Sequence, residues 1–134
     1  MPTVELTSSN FVSTVSREGI VLVDCWAAWC GGCKTFSPIF KKVAAKHPQH
    51  AFGTLDTQKA EDIVAKLGIQ HVPTLLLYRD GLLLFQESGN FDEAKLEDVI
   101  SQAERLDMDA VRAEIEANRQ AESRDRPESE PADG

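Results

Sequence analysis

Short apolar runs along the chain mark the strands of a sheet. The run from Ile20 to Val23 ends at Asp24 and is typical of a strand that is buried on both faces. Two more strand-like segments, 74–78 and 82–86, flank Asp80-Gly81, which is a strong two-residue hairpin signal. The pattern therefore predicts a sheet with a buried inner strand and an antiparallel hairpin.

Between the strands, apolar residues recur at the spacing of amphipathic helices. The predicted inward positions are Phe11, Val12 and Val15 in the first helix, Phe36, Ile39, Phe40, Val43 and Ala44 in the second, Ile63, Val64 and Leu67 in the third, and Leu96, Val99, Ile100 and Ala103 in the fourth. Residues 7–10 offer caps for the first helix, Pro38 predicts a kink in the second, and Gly68 ends the third. With short strands at 4–6 and 52–56, the βαβαβ order followed by a hairpin and a helix predicts an α/β fold, in which a mixed central sheet has helices on both faces.

Two cysteines, Cys30 and Cys33, stand where a predicted strand ends and a helix begins. A helix N-terminus has free backbone N–H groups and a partial positive charge, and both stabilise a thiolate. Lowering a thiol pKa from about 8.5 to about 7 raises its thiolate fraction at pH 7 roughly fifteen-fold. Nucleophilicity falls with the pKa, so the attack rate gains less, but a low-pKa sulfur also leaves more easily. The position favours thiol–disulfide exchange.

Metal-binding and structural interpretations of this cysteine pair are weaker. A zinc site would need about two further ligands, and Cys25, His47, His50 and His71 do not offer them as a second close pair. An iron–sulfur cluster needs four ligands, whereas the chain has three cysteines. A purely structural disulfide would close a very small loop and constrain little of the chain. We therefore expect a redox pair and no metal site.

Several segments together resemble the thioredoxin family. The segment 23–34, Val-Asp-Cys-Trp-Ala-Ala-Trp-Cys-Gly-Gly-Cys-Lys, resembles the active-site segment of that family. Pro38 stands where the family has a proline inside the following helix, and Val72-Pro73-Thr74 resembles its cis-proline loop. The resemblance covers roughly residues 5–105 and implies the thioredoxin fold.

The resemblance also implies roles for particular residues. Cys30 would attack the disulfide of a client protein, Cys33 would resolve the mixed disulfide, and Asp24 would accept the proton of Cys33 with a raised pKa. Pro73 would follow a cis bond and present the Val72 backbone to an extended client segment. The implied substrate-binding set is Trp29, Gly31, Gly32, Val72, Pro73 and Gly89, and the implied structural residues are Trp26 and Pro38.

Four further positions qualify this interpretation. Cys25 follows Asp24 in a strand, so it should point to the opposite face as a small buried residue. His71 either contacts substrate or is a solvated loop histidine. Gly32 replaces the proline that is common between the cysteines, which leaves the first helical turn less constrained. Thr54 replaces a lysine that many members place near the buried acid, and this loss should favour protonated Asp24.

Charge and composition narrow the range of partners and compartments. The formal net charge of −8 argues against nucleic acid and against anionic membrane surfaces as partners. The chain has no apolar run of about 18 residues, and its first residues lack the basic and apolar regions of a signal peptide. Three cysteines, two of them in the motif, do not make a secreted disulfide framework. These features predict a cytoplasmic protein.

The chain continues beyond the segment that resembles the family. We expect a thioredoxin domain at 1–105, a helical extension at 106–120, and a disordered acidic tail at 121–134 that is poor in large apolar residues. In the extension, Met108, Val111 and Ile115 form a narrow apolar stripe. An isolated helix of this length is only marginally stable in water, so its apolar stripe needs a surface to pack against. Its own domain, a second copy of the chain or another protein could supply that surface.

The resemblance implies a protein-disulfide reductase that needs no bound cofactor. Its partners would be disulfide-containing client proteins and a dithiol reductase linked to NADPH that recharges it. Two alternatives remain at this point. The glycine at position 32 also permits an oxidant or isomerase, and the extra helix permits a binding or chaperone module whose thiols matter little.

Overall fold

The computed structural model describes residues 3–125, and five strands within them form one mixed sheet in the order β1-β3-β2-β4-β5. The strands are β1 (Val4–Leu6), β2 (Ile20–Trp26), β3 (Ala51–Asp56), β4 (Thr74–Arg79) and β5 (Leu82–Ser88). The helices are α1 (Phe11–Val15), α2 (Gly31–Lys46), α3 (Glu61–Leu67), α4 (Glu93–Glu104) and α5 (Met108–Asp125).

Strand β2 lies at the centre of the sheet. It runs parallel to β3 and antiparallel to β4, so that Asp24 lies opposite Thr54 on one side and Leu75 on the other. Every residue of β2 except Trp26 is buried, because its apolar run can be covered on both faces. The predicted mixed sheet and its hairpin are confirmed, with β4 and β5 joined through Asp80-Gly81.

Alternating side chains of β2 supply two separate cores. Ile20 and Leu22 lie on the face that α2 and α4 cover, and this core includes the paired rings of Phe36 and Phe40, whose centroids are 5.8 Å apart. Val21, Val23 and Cys25 lie on the other face, which α1 and α3 cover. Helices on both faces, as predicted, therefore follow from the period-two alternation of a buried strand.

Helix α1 differs in detail from the prediction. Val12 is 63% exposed, because a five-residue helix turns only Phe11 and Val15 toward the sheet. Asn10 occupies the N-cap position but makes no side-chain cap. Its side chain instead accepts a hydrogen bond from the Thr7 N–H at 2.7 Å and donates one to the Glu5 carbonyl at 3.2 Å. The amide thus closes the turn between β1 and α1.

The residues after α4 form a separate compact unit, and the first unit ends at Glu104, one residue before the predicted boundary. Helix α5 begins at Met108, where Asp107 accepts hydrogen bonds from the N–H groups of Asp109 and Ala110 at 3.0 and 3.2 Å. It continues to Asp125, so residues 121–125 are helical rather than part of the expected tail, because no glycine or proline interrupts them. The rest of that tail, 126–134, lies outside the described residues.

Candidate active site

The turn between β2 and α2 positions the two cysteines. The Cys30 N–H donates to the Ala27 carbonyl at 3.1 Å, and Cys30 itself is the N-cap of α2 with an extended backbone. Its Sγ accepts a hydrogen bond from the Cys33 N–H at 3.0 Å. A sulfur therefore occupies the place where a serine or aspartate oxygen usually caps a helix. This contact and the positive end of the helix both stabilise a thiolate on Cys30.

Cys30 and Cys33 are joined by a disulfide, with their Cα atoms 5.3 Å apart, so the structure represents the oxidised protein. As the first cysteine, at the start of the helix, Cys30 would be expected to lie closer to solvent than Cys33. In the disulfide form the two residues are buried almost equally, at 4% and 3% exposure. The reason is that Ala27, Trp26 and Val72 pack around the bonded pair. What distinguishes the two cysteines here is the capping contact rather than exposure.

Asp24 is a buried acid in the middle of the sheet. It is 1% exposed, and its Oδ1 has no hydrogen-bond partner among the described residues. Burial raises its pKa to about 7, and the positive charge of Lys41 partly opposes this rise. The raised pKa that the resemblance implied is thus present, and desolvation is its main cause. Asp24 can hold or release a proton near neutral pH.

A cavity of about 530 Å³ connects this acid with the redox pair. Its lining includes Asp24, Cys33, Trp26, Ser37, Lys41 and Thr54. The acid and the second cysteine therefore line one cavity on the α2 side of β2. The cavity has room for water, through which a proton can pass between the two groups.

Lys41 is a residue of this site that the sequence analysis missed. Thr54 lies beside Asp24 in register and brings no charge, as expected, but Lys41 on α2 supplies a cation to the same acid. Lys41 therefore partly replaces the positive charge that a lysine at position 54 would bring to Asp24. A signal was available in the sequence, since Cys33, Ser37 and Lys41 follow one another at four-residue steps and so lie on one face of a helix.

The proline loop comes together with the disulfide as expected. The Val72–Pro73 peptide bond is cis, and Val72 packs against the cysteine pair. The Gly89 N–H donates to the Pro73 carbonyl at 3.0 Å, which ties the end of β5 to the loop, and Gly89 has a positive φ of 127° that favours glycine. His71 is exposed, and its carbonyl accepts a hydrogen bond from the Thr74 hydroxyl. A role for the His71 side chain stays a hypothesis.

The surroundings of the disulfide are partly apolar and open. Trp29 is 71% exposed beside the pair, whereas Trp26 is half-buried against it. Gly31 has open space where a side chain would be, and a Cβ at Gly32 would lie 3.1 Å from the amide of Asn90. Most of the residues predicted to bind substrate thus lie around one patch of surface. Pro38 lies further along α2, inside the helix and exposed.

Cys25 does not belong to this site. It lies on the opposite face of β2, within the core that α1 and α3 cover, and it is a free thiol. Burial raises the pKa of the Cys25 thiol strongly, and the neighbouring Asp24 raises it further. A thiol in that environment remains protonated and unreactive. The interpretation of Cys25 as a small buried residue is confirmed.

A disulfide at the N-terminus of a helix, with a buried acid behind it and a cis-proline loop beside it, defines the class of thiol–disulfide oxidoreductases. Comparison with known proteins identifies the family within this class. The family model described as Thioredoxin matches residues 2–102, and the chain belongs to the thioredoxin family. The protein is a thiol–disulfide oxidoreductase that reduces protein disulfides.

Individual relatives agree with this assignment. The chain is 44% identical over 121 residues to a Streptomyces coelicolor protein assigned as thioredoxin 2, with 90% of each chain covered. It is 33% identical over 96 residues to a thioredoxin of Alicyclobacillus acidocaldarius, covering 71% of this chain and 91% of the relative. Among solved structures, a single-substitution mutant of thioredoxin from Halobacterium salinarum is 26% identical, with a TM-score of 0.72, covering 78% of this chain and 93% of that one.

The similarity to the Streptomyces coelicolor relative extends beyond the family domain. A match that covers 90% of the chain must run well past residue 102, where the family model ends. It therefore includes much of the segment that contains α5. The extension is thus shared with at least one relative.

Proposed function

We propose that Cys30 is the nucleophile, Cys33 the resolving thiol and Asp24 the proton acceptor in the reduction of client disulfides. The Cys30 thiolate attacks one sulfur of the client disulfide, forming a mixed disulfide and releasing the first client thiolate. Asp24 takes the proton of Cys33, and the Cys33 thiolate then attacks Cys30 Sγ. The second client thiolate leaves, so two electrons pass to the client and the Cys30–Cys33 disulfide remains.

The observation that carries this assignment is the hydrogen bond from the Cys33 N–H to Cys30 Sγ at 3.0 Å. A backbone donor and a helix N-terminus aimed at one sulfur favour its thiolate form both as attacking group and as leaving group. The shared cavity gives Cys33 access to Asp24, whose pKa of about 7 suits a group that accepts and returns a proton near neutral pH.

Client binding is proposed for the surface around the disulfide. Val72 would pair through its backbone with an extended segment of the client, as in strand addition, while Pro73 and Gly89 hold that loop in place. Trp29 offers an exposed aromatic surface for apolar client side chains. Gly31 and Gly32 allow a client backbone to approach the sulfurs closely.

The proposed setting is the cytoplasm, with an NADPH-linked thioredoxin reductase as the source of electrons. No helix within residues 3–125 is long and apolar enough to cross a membrane. The family assignment supports a reductase partner in general terms, since a protein of this class must regain two electrons after each turnover.

Insulin reduction tests both the roles and the electron source. With NADPH and a bacterial thioredoxin reductase, the wild-type protein should reduce insulin while NADPH is consumed. Cys30→Ser should abolish activity, and Cys33→Ser should accumulate a mixed disulfide with insulin that a thiol reductant releases. Trapping by Cys30→Ser instead would reverse the roles of the two cysteines. Activity with dithiothreitol but none with the reductase would refute the proposed electron source and leave the cysteine roles intact.

A further inference from the structure

Two histidines that follow the last turn of α2 meet two glutamates of α4. His47 is the C-cap of α2, and His50 lies in the turn that leads into β3. His47 Nε2 lies 2.7 Å from Glu97 Oε1, and His50 Nε2 lies 2.7 Å from Glu104 Oε2. Both glutamates belong to α4, so the cluster joins residues about fifty positions apart in the chain. The reductase chemistry described above uses none of these side chains.

The two imidazoles are held in place before any ligand arrives. Their rings are stacked, with centroids 5.8 Å apart and planes 13° from parallel, and the His47 ring also lies 6.4 Å from the ring of Phe52. Both histidine side chains are largely buried, whereas the carboxylate of Glu104 is more exposed. Glu97 holds the His47 ring as an orienting carboxylate does in metal sites.

We propose that His47, His50 and Glu104 form a binding site for a divalent transition-metal ion, with Zn²⁺ as its simplest occupant. One ligand atom from each residue lies within 4.8 Å of the other two. Donors around a tetrahedral zinc lie about 3.3 Å apart, given zinc–ligand bonds of about 2.0–2.1 Å. Small side-chain rotations therefore close the site, and at His50 and Glu104 the metal takes the place of a hydrogen-bonded proton.

The donor set and the surrounding charge determine which cation fits. Two imidazoles and one carboxylate suit Zn²⁺ and similar borderline ions, whereas Mg²⁺ prefers oxygen ligands and keeps its waters. With neutral imidazoles, Glu97 and Glu104 leave the cluster negatively charged, and His47 stands at the negative end of α2. Arg79 donates to the Ala103 carbonyl at 2.7 Å, so the negative end of α4 already faces a cation and adds no attraction for a metal ion.

This site lies at the other end of α2 from the disulfide, about 24 Å away for a helix of 16 residues. A bound ion would therefore fasten α2 to α4 rather than act on the sulfurs. The proposal is separate from the reductase function, and either can fail without the other.

The test uses the oxidised, full-length protein without a polyhistidine tag, so that neither the redox thiols nor a tag can bind metal. Titration calorimetry with Zn²⁺ should give one ion per chain, and Zn²⁺ but not Mg²⁺ should raise the melting temperature. His50→Gln and Glu104→Gln should each weaken Zn²⁺ binding at least ten-fold. His71→Gln is the matched control, since the chain has three histidines and this one lies outside the cluster.

Three results would each overturn the proposal. The first is the absence of saturable Zn²⁺ binding to the wild-type protein. The second is equal Zn²⁺ affinity in wild type and Glu104→Gln, and the third is a loss of affinity in His71→Gln as large as that in His50→Gln. Because Glu104 is exposed, Glu104→Gln should fold normally even if a variant at the buried histidines does not.

Discussion

At the scale of single residues, the chemistry depends on how Asp24 is surrounded. Its carboxyl is buried, and within the described part of the chain its Oδ1 has no hydrogen-bond partner. The cation Lys41 acts on it from α2. Burial without full pairing costs free energy when the group is charged. The same feature that suits Asp24 to proton transfer should therefore reduce stability at neutral and alkaline pH.

Asp24→Asn should remove a pH dependence of stability. The folded-state pKa of about 7 lies above the ordinary value of 3.8, so the folded protein holds the proton more tightly than the unfolded chain does. Stability should be greatest below that ordinary value and fall as the pH rises toward about 7, by about 4 kcal/mol at most. In the asparagine variant this loss should disappear.

Urea unfolding of the oxidised protein at about pH 5 and about pH 8 measures the effect. Staying above pH 5 avoids the titration of Asp62 and Glu93, whose pKa values are lowered by a hydrogen bond from Ser8 and by Lys46, respectively. These two carboxylates contribute stability that is present at neutral pH and is lost only in acid, whereas the contribution of Asp24 is lost as the pH rises. If the free energy of unfolding changes equally with pH in wild type and Asp24→Asn, Asp24 is not the group responsible.

Lys41→Met should raise the pKa of Asp24 further. A nearby cation stabilises the carboxylate, so its removal favours the protonated form. Carboxyl titration by NMR should show Asp24 ionising at higher pH, and the pH profile of insulin reduction should shift in the same direction. Lys42→Met is the control, because Lys42 is the next residue of the same helix but pairs with Glu93 at 3.0 Å. Identical shifts in both variants would mean that general surface charge, and not Lys41, tunes the acid.

At the scale of elements, the first turn of α2 combines a sulfur cap with two glycines. Gly32 is the second residue of the helix and does not have a left-handed backbone, so proline is compatible with the sign of its φ. The structure adds a neighbour that the sequence did not reveal. A Cβ at Gly32 would lie 3.1 Å from Asn90 Nδ2 and Oδ1, so this exposed amide must move slightly.

Gly32→Pro should stabilise the protein by about 0.4–1 kcal/mol, because it reduces the freedom of the unfolded chain. The gain should be larger in an Asn90→Ala background, where the close contact is absent. The variant should also shift the reduction potential of Cys30–Cys33, with each 30 mV equal to about 1.4 kcal/mol. Urea unfolding and equilibration with glutathione measure the two quantities. An unchanged potential would show that position 32 does not tune the redox pair.

At the scale of the whole molecule, the redox site and both cores lie within the first unit. The cysteines, Asp24 and the proline loop all precede Glu104, and so do the two large clusters of buried side chains. The helix α5 belongs to the second unit, which the sequence analysis treated as an extension. Reductase chemistry should therefore not require it.

Truncation after Arg105 should preserve the fold and the rate of insulin reduction. It keeps the Ala103 and Glu104 carbonyls that receive hydrogen bonds from Arg79 at 2.7 and 3.5 Å. Circular dichroism, thermal melting and sedimentation of the full-length and truncated chains would measure fold, stability and self-association. A clear drop in melting temperature would assign α5 to stabilising its own chain. A change in sedimentation alone would assign it to self-association.

Much of the molecule follows from local features of the sequence. The apolar run 20–23, the Asp80-Gly81 turn and the periodic helices predict the sheet and its two layers, because side-chain periods of two and 3.6 report directly which faces are buried. The position of Cys30 and Cys33 between a strand and a helix predicts a redox pair for a similar reason. The donors at a helix N-terminus belong to the backbone and do not depend on distant residues.

Contacts between distant segments were decided only by the tertiary structure. Sequence alone did not show that Lys41 would act on Asp24, that Asn90 would lie over Gly32, or that the two cysteines would be equally buried. Nor did it show that His47 and His50 would meet two glutamates of α4, although each residue was visible. Such contacts depend on how helices are placed on the sheet, and that placement is set by the summed packing of both cores rather than by any local pattern.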